Sequence, residues 1–148
     1  MFKHILVSTD GSKLSGKAIR TAVRLAGATG AKVTGVYVIA PYAPPSYGEG
    51  MMYMPALSPK RYKELTGREA RKALAAVEIE ARTGDVKYAT AALTADSPWE
   101  GIVRAARSKR SDLVVMASHG RRGLAGLFIG SETTKVLTHS KVPVLVCR

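Results

Sequence analysis

The chain has 148 residues, 46% of them hydrophobic, which is enough for one domain with a buried core. No apolar run is long enough to span a membrane, and the N-terminal stretch becomes polar too early for a signal peptide, so we expect a cytoplasmic protein without membrane contact. The single cysteine, Cys147, excludes a disulfide within the chain.

The formal net charge of +12 favours anionic partners. The basic residues, however, are spread from Lys3 to Arg148 without a long run, and we find no nucleic-acid-binding motif. The sequence therefore favours a basic, solvated surface over nucleic-acid binding.

The first half of the chain alternates predicted strands and helices. Residues 4–7 form an apolar run that predicts a central parallel strand, leading to Asp10. Ser12 can cap a helix that ends at Gly30, and the β-branched residues of 31–39 predict a second strand. Residues 40–58 form a long loop rich in proline, tyrosine and methionine, typical of a lid, a partner surface or a disordered insertion.

Residues 11–18 resemble the phosphate-binding loop Gly-x-x-x-x-Gly-Lys-Ser/Thr. Their last position is Ala18, so the hydroxyl that would hold magnesium is missing. The apolar spacing from Leu14 predicts that the helix has already begun, and we interpret this segment as helix.

The second half of the chain continues the alternation. Ser58 and Pro59 are the expected cap and first residue of a long helix that ends at Gly84. Residues 86–93 predict a third strand at a sheet edge, and residues 97–100 have the pattern of a capping box before a third helix. A buried strand at 113–116, a helix from Ser131 and a last strand at 142–147 complete the chain.

Five strands alternating with four helices predict an α/β domain over residues 1–148, a doubly wound parallel sheet with helices on both faces. Ligands of such sheets bind beyond the carboxyl ends of the strands, where the strand order reverses. Asp10 is therefore a candidate ligand residue, and a helix cap is its alternative role.

The segment between the fourth strand and the last helix has the features of an anion site. A strand, a glycine-bearing loop and a helix N-terminus follow one another, and free N–H groups and the helix dipole attract a phosphate there. Arg121 and Arg122 add positive charge. The alternative is an ordinary surface loop with solvated arginines.

This segment resembles the motif of the universal stress protein family, whose nucleotide-binding members carry Gly-x-x-Gly, nine residues, and Gly-Ser or Gly-Thr. Here Ala117-Ser-His-Gly120 is followed by nine residues and Gly130-Ser131, so Ala117 replaces the first glycine. The resemblance covers residues 2–148. It implies the sheet order 3-2-1-4-5 and a homodimer that pairs the last strands, residues 142–147, of two subunits.

The resemblance also implies a site for ATP or another adenine nucleotide, with Mg²⁺ or Mn²⁺ bridging the phosphates. Glu132 is expected to point away from the phosphates, and Gly130→Val is expected to abolish binding while the fold stays cooperative. The implied site has Ser8, Thr9, Asp10 and the backbone of Val38 on the adenine side, Met116 and Ala117 under the ribose, and Gly120, Gly130, Ser131 and Glu132 at the phosphates, to which we add Arg121 and Arg122 on electrostatic grounds.

Three functions are compatible with these patterns. The first is an ATP-binding stress protein that acts as a regulatory module. Its hydrolysis would be slow at most: the candidate bases near the loop are His119 and Asp10, and a lone loop histidine is more often a turn or packing residue. The second is an adaptor dimer that binds protein partners and no nucleotide, which Ala117 favours. The third is nucleic-acid binding driven by charge alone.

Overall fold

The computed structural model describes residues 1–44, 57–119 and 129–148. Most of the predicted loop 40–58, namely residues 45–56, lies outside the described residues. Strands and helices alternate along the chain, as predicted. The strands are β1 (His4–Ser8), β2 (Lys32–Ile39), β3 (Tyr88–Thr94), β4 (Leu113–Ala117) and β5 (Val144–Cys147), and the helices are α1 (Lys13–Thr29), α2 (Pro59–Thr83), α3 (Pro98–Ser108) and α4 (Ser131–His139).

The five strands form one parallel sheet in the order β3-β2-β1-β4-β5. This confirms the predicted doubly wound sheet and the strand order that the resemblance implies. β3 is an edge strand, as predicted, and β5 begins after Pro143, two residues later than predicted. The order reverses between β1 and β4, which makes their carboxyl ends the switch point of the sheet.

Helices cover both faces of the sheet. On one face, Ile5 and Val7 of β1 pack in a cluster with Val23 of α1, and on the other face Leu6 packs in a cluster with Val136 of α4. Because successive side chains of a strand point to opposite faces, a strand buried on both sides is apolar throughout. This explains the unbroken apolar run at the start of the chain.

The ends of the first two helices agree with the sequence patterns. The side chain of Ser12 accepts a hydrogen bond from the N–H of Ser15, and Gly30 ends α1 with φ of 70°. The side chain of Ser58 caps α2 in the same way, with Pro59 as the first helical residue. Because Gly16 to Ala18 lie inside α1, the segment that resembles a phosphate-binding loop is helical, as predicted.

The capping box predicted for α3 is wrong. Ser97 occupies the cap position, but its side chain makes no cap hydrogen bond. The N–H of Trp99 instead donates to Oε2 of Glu132 in α4, at 3.0 Å. A carboxylate is a stronger acceptor than a hydroxyl and is favoured by the helix dipole, so a residue distant in sequence caps this helix.

A glycine lets α3 lie close to β2. A Cβ atom at Gly101 would lie 2.7 Å from Cγ2 of Val38 and 2.9 Å from Cδ1 of Leu93. Only the absence of a side chain allows this approach, which holds α3 against the carboxyl-terminal half of β2. None of the helices in the described parts of the chain is long and apolar enough to cross a membrane.

Candidate functional site

The switch point between β1 and β4 is where a doubly wound sheet has its ligand crevice, beyond the carboxyl ends of the strands. Ser8, the last residue of β1, pairs with Val36 of β2, and Val7 pairs with Val115 of β4. Residues 37–39 of β2 and residues 116–117 of β4 therefore extend beyond the end of β1. These two extensions form the walls of the crevice, and the end of β1 forms its floor.

The backbone of Val38 is directed into this crevice. The C=O of Val36 accepts a hydrogen bond from Thr9, on the β1 side, whereas the C=O of Ile39 accepts one from Ala95, on the β3 side. Backbone groups of a strand alternate between its two neighbours, so those of Val38 point to the side where β1 has already ended. One donor and one acceptor thus face the crevice, a pair that can read the edge of a base.

The N-terminus of α4 lies beyond the end of β4. Its cap residue is Gly130, so no side chain of the cap residue accepts a hydrogen bond from the first turn. The first hydrogen bond of the helix runs from the N–H of Thr134 to the C=O of Gly130, at 2.9 Å. The N–H groups of residues 131–133 precede this first bond of the helix and have no acceptor within it. Together with the helix dipole they attract an anion.

Thr133 fixes the start of α4 against the end of β4. Its hydroxyl is buried and lies 3.0 Å from the C=O of Ala117 and 3.1 Å from that of Ser118. The N–H of Gly130 also donates to the C=O of Ser118, at 2.7 Å. No sequence pattern marks Thr133, because a threonine inside a helix carries no signal until its distant partners are known.

These contacts correct the expected role of Gly130. Its N–H is bonded to Ser118 and is not directed at a phosphate. A Cβ atom at this position would lie 3.2 Å from the Ser118 oxygen and 3.3 Å from Cα of His119, which is tighter than ordinary contact. Gly130→Val would therefore strain the backbone at Ser118 and His119 itself, so a loss of nucleotide binding in this variant would not by itself identify a phosphate contact.

Three of the predicted site residues lie on the α3–α4 side of the sheet. Val38 and Met116 belong to the cluster on that face, and alternation from Leu6 places Ser8 there as well. Met116 is 5% exposed. Its side chain is thus part of the core, and any contact of Met116 with a ligand would be made by its backbone.

Thr9 and Asp10 hold the turn between β1 and α1. The Thr9 hydroxyl lies 3.0 Å from Oγ of Ser15 and accepts a hydrogen bond from the N–H of Gly11. The Asp10 carboxylate accepts one from the N–H of Ser12, at 3.0 Å. Asp10 thus precedes the helix cap, which is Ser12, so its alternative role as the cap itself is wrong.

Glu132 is engaged by two neighbours. Its carboxylate accepts hydrogen bonds from the N–H of Trp99 and, at 3.4 Å, from Nζ of Lys135. Ser131, the first residue of α4, is exposed.

Gly120, Arg121 and Arg122 lie outside the described residues. His119, just before them, is half-buried, with Nδ1 3.2 Å from Oγ of Ser118. Within residues 1–44, 57–119 and 129–148, no three His, Cys, Asp or Glu residues are grouped so that they could hold a metal ion. The described part of the chain thus offers no protein cage for the implied divalent ion.

A cavity of about 370 Å³ opens on the opposite face, between α1 and α2. Gly16 of α1 and Lys72 of α2 are among the residues that line it. Thr9 is the one residue that it shares with the predicted site. The sequence did not indicate this cavity, because its two walls come from helices separated by β2 and the long loop.

Comparison with known proteins extends over the whole chain. The sequence model of the universal stress protein family matches residues 1–148 of the chain. The chain is 34% identical to a universal stress protein of Thermus aquaticus, covering 100% of both chains, and 32% identical to one of Methanocaldococcus jannaschii, covering 100% of this chain and 83% of the relative. UspA from Lactobacillus plantarum has a similar structure, with a TM-score of 0.75, 27% identity and coverage of 99% and 97%.

Two structures of the same fold contain a nucleotide. One is a universal stress protein in complex with cAMP, with a TM-score of 0.72, 23% identity and coverage of 99% and 97%. The other is the universal stress protein from Archaeoglobus fulgidus in complex with dAMP, with a TM-score of 0.72, 19% identity and coverage of 99% and 98%. At these identities the similarity concerns the fold.

Proposed function

The chain belongs to the universal stress protein family, and on this premise we propose that it binds an adenine nucleotide such as ATP and acts as a regulatory module in the stress response. The observation that carries the proposal is the crevice at the switch point. The backbone donor and acceptor of Val38 lie on one side of it and the first amides of α4 on the other. A purine edge and a phosphate chain need these two kinds of partner.

The structural neighbours support the choice of adenine. The two nucleotides bound in the similar folds, cAMP and dAMP, share that base and differ in the sugar and phosphate. Carried over to this chain, adenine would lie against Val38 and the phosphates at Ser131. Any Mg²⁺ or Mn²⁺ would then be held through the phosphates of a bound triphosphate.

The position of Ala117 supports nucleotide binding over the adaptor function. Val115 packs in the cluster on the α1 face, and Met116 in the cluster on the α3–α4 face. Alternation therefore directs the Ala117 methyl group to the α1 side, away from the N-terminus of α4. A methyl group there leaves the phosphate side of the crevice open.

We further propose a binding protein with at most slow ATP hydrolysis. A general base must reach the attacking water and accept its proton. The Asp10 carboxylate already accepts the N–H of Ser12, and the His119 ring lies beside the Ser118 hydroxyl. Both candidate bases thus have partners of their own in the fold.

The experiment that tests the proposal is to denature the purified protein and analyse the supernatant for nucleotide. We expect an adenine nucleotide, and we expect the refolded, nucleotide-free chain to bind ATP in calorimetry more tightly than GTP, whose different base edge mismatches the backbone of Val38. A supernatant without nucleotide, together with no heat on addition of ATP, would contradict nucleotide binding and would favour the adaptor function.

A further inference from the structure

The outward surface of α1 carries a row of positive charge. Its four basic residues are all exposed, and α1 contains no acidic residue. Spacings of four, three and four residues place them along one side of the helix, over a length of roughly 16 Å. The row consists of Lys13, Lys17, Arg20 and Arg24.

This arrangement opposes the stability of the helix. Like charges three or four residues apart repel each other, and a cation in the first turn, such as Lys13, is disfavoured by the helix dipole. α1 also lacks acidic residues in its first turn and basic residues in its last turn, where they would stabilise it. Helix stability thus does not account for the row.

Cations of α2 lie across a groove from this row. The cavity of about 370 Å³ between the two helices is lined by Lys72, and Arg68 precedes Lys72 by one turn. On the α1 side, Gly16 also lines the cavity. The guanidinium of Arg20 lies next to it, since a Cβ atom added at Gly16 would be 3.7 Å from Nη1 of Arg20. Positive side chains therefore flank a groove whose lining also contains one carboxylate, that of Glu69, and small residues such as Ala76.

The charge is concentrated on this face of the molecule. α1 has four basic residues and α2 has seven, against four acidic residues, all in α2. α3 and α4, on the opposite face, have three basic and two acidic residues between them. The fold thus brings 11 of the 23 basic residues of the chain, dispersed along the sequence, onto the α1–α2 face.

We propose that the α1–α2 face binds double-stranded nucleic acid through its phosphate backbone, without reading the base sequence. The four cations of the α1 row, with Arg68 and Lys72 across the groove, match the regular charge of such a backbone. Neither the α1 row nor the lining of the groove contains an aromatic residue on which single-stranded bases could stack. The row also has no large apolar side chain between its cations that would enter a lipid surface.

The test measures the binding of a 20-base-pair DNA duplex of random sequence. The duplex carries a fluorescent label, and its fluorescence anisotropy is recorded at salt concentrations between 50 and 200 mM. With about six phosphate contacts, the affinity of the unaltered protein should fall about 10³-fold over this range. Lys17→Gln/Arg20→Gln/Arg24→Gln should bind at least about tenfold more weakly at 50 mM salt, with a salt slope lower by about 3. Glutamine is a good helix former, so α1 should persist, which circular dichroism checks.

The matched control removes the same charge elsewhere. Arg107→Gln/Lys109→Gln/Lys141→Gln alters exposed residues at the end of α3 and in the segments after α3 and α4, and it should keep the salt slope. Equal losses in the two variants, or no binding at 50 mM salt, would overturn the proposal. Binding to phosphatidylserine vesicles without binding to the duplex would also overturn it and would identify a lipid surface as the partner.

Discussion

His4 is a buried titratable residue at the amino end of the sheet. It is 7% exposed, and its Nε2 lies 2.7 Å from Oγ1 of Thr34. Burial lowers the pKa of its imidazole from 6.5, and the charge of Lys32 lowers this pKa further, while Asp112 acts in the opposite direction. The folded protein therefore binds a proton at His4 less readily than the unfolded chain does.

We predict that the free energy of unfolding decreases as the pH falls below about 6.5, because only the unfolded chain then gains the proton readily. Urea unfolding at pH 7.5 and 5.5 measures this change, and His4→Gln should reduce it. Asp112 does not contribute to the change in stability between pH 7.5 and pH 5.5, because its carboxyl group titrates at lower pH. Burial alone would raise the pKa of its carboxyl group, but the N–H groups of Lys3 and His4 outweigh burial and lower it from 3.8. An equal pH dependence in His4→Gln would contradict this account of His4.

Whether a residue's role could be predicted depended on how near its partner lies in the sequence. Ser12 and Gly30 act on their own helix, so their roles followed from local pattern. The capping of α3 by Glu132 joins residues 33 positions apart, and it exists only because α3 and α4 pack together. The partner of the Gly130 amide, Ser118, was hidden for the same reason.

At the scale of elements, α3 and α4 are joined at two places. Glu132, in the first turn of α4, accepts the N–H of Trp99, and the Trp99 ring lies on that of His139, the last residue of α4, with 4.5 Å between ring centroids. The proposed phosphate contacts lie in the same first turn of α4. Because Trp99 is the only tryptophan, its fluorescence reports on the pairing of these helices.

We predict that Glu132→Ala lowers the free energy of unfolding by about 0.5–2 kcal/mol, since α3 loses its carboxylate cap. Glu100→Ala is the matched control, because it removes the acidic residue of the capping box that the sequence suggested, and it should change stability by less than about 0.5 kcal/mol. Denaturant unfolding followed by Trp99 fluorescence measures both. A larger loss of stability in Glu100→Ala than in Glu132→Ala would contradict the capping of α3 by Glu132 and would support the capping box.

At the scale of the whole molecule, β5 leaves one edge of the sheet unpaired among the described strands. Leu145 of β5 is 38% exposed. Hydrogen bonds from Val114 to Pro143 and from Ser118 to Cys147 join β5 to β4, so alternation directs the N–H of Val146 outward. We propose that β5 pairs with β5 of a second copy of the chain. This pairing would satisfy the outward backbone groups of β5, such as the N–H of Val146, and would cover the exposed Leu145.

Val146→Pro should convert the proposed dimer into a monomer, because it removes an outward N–H and leaves the bonds to β4 in place. Val146→Thr keeps the N–H and should remain dimeric. Size-exclusion chromatography with light scattering measures the mass of each. A dimeric Val146→Pro variant would assign the interface to another surface, and a monomeric unaltered protein would remove the proposal.

The overall architecture was predictable because it depends on periodicity that any window of the sequence displays. The apolar runs and helical spacings gave the alternation of strands and helices, whereas the order of the strands came from the resemblance to a family. The basic face was not predictable from the dispersed charges. It arises because α1 and α2 lie side by side on the sheet, so that Lys72 lines the same groove as Gly16, the neighbour of the Arg20 guanidinium.

The most direct test of the proposed nucleotide site is the affinity for ATP of Ser131→Pro, measured by calorimetry beside Ser131→Ala. Proline is favoured at the first position of a helix, and Gly130, with ψ of 154°, has the extended conformation that a following proline requires. The proline variant thus removes one N–H from the start of α4 while the helix is retained, and the alanine variant removes only the hydroxyl. We predict that Ser131→Pro binds ATP about tenfold or more weakly, as expected for the loss of a hydrogen bond to a charged phosphate, with a smaller loss in Ser131→Ala and little change in unfolding midpoint in either. ATP binding by Ser131→Pro with unaltered affinity would contradict the assignment of the phosphates to α4.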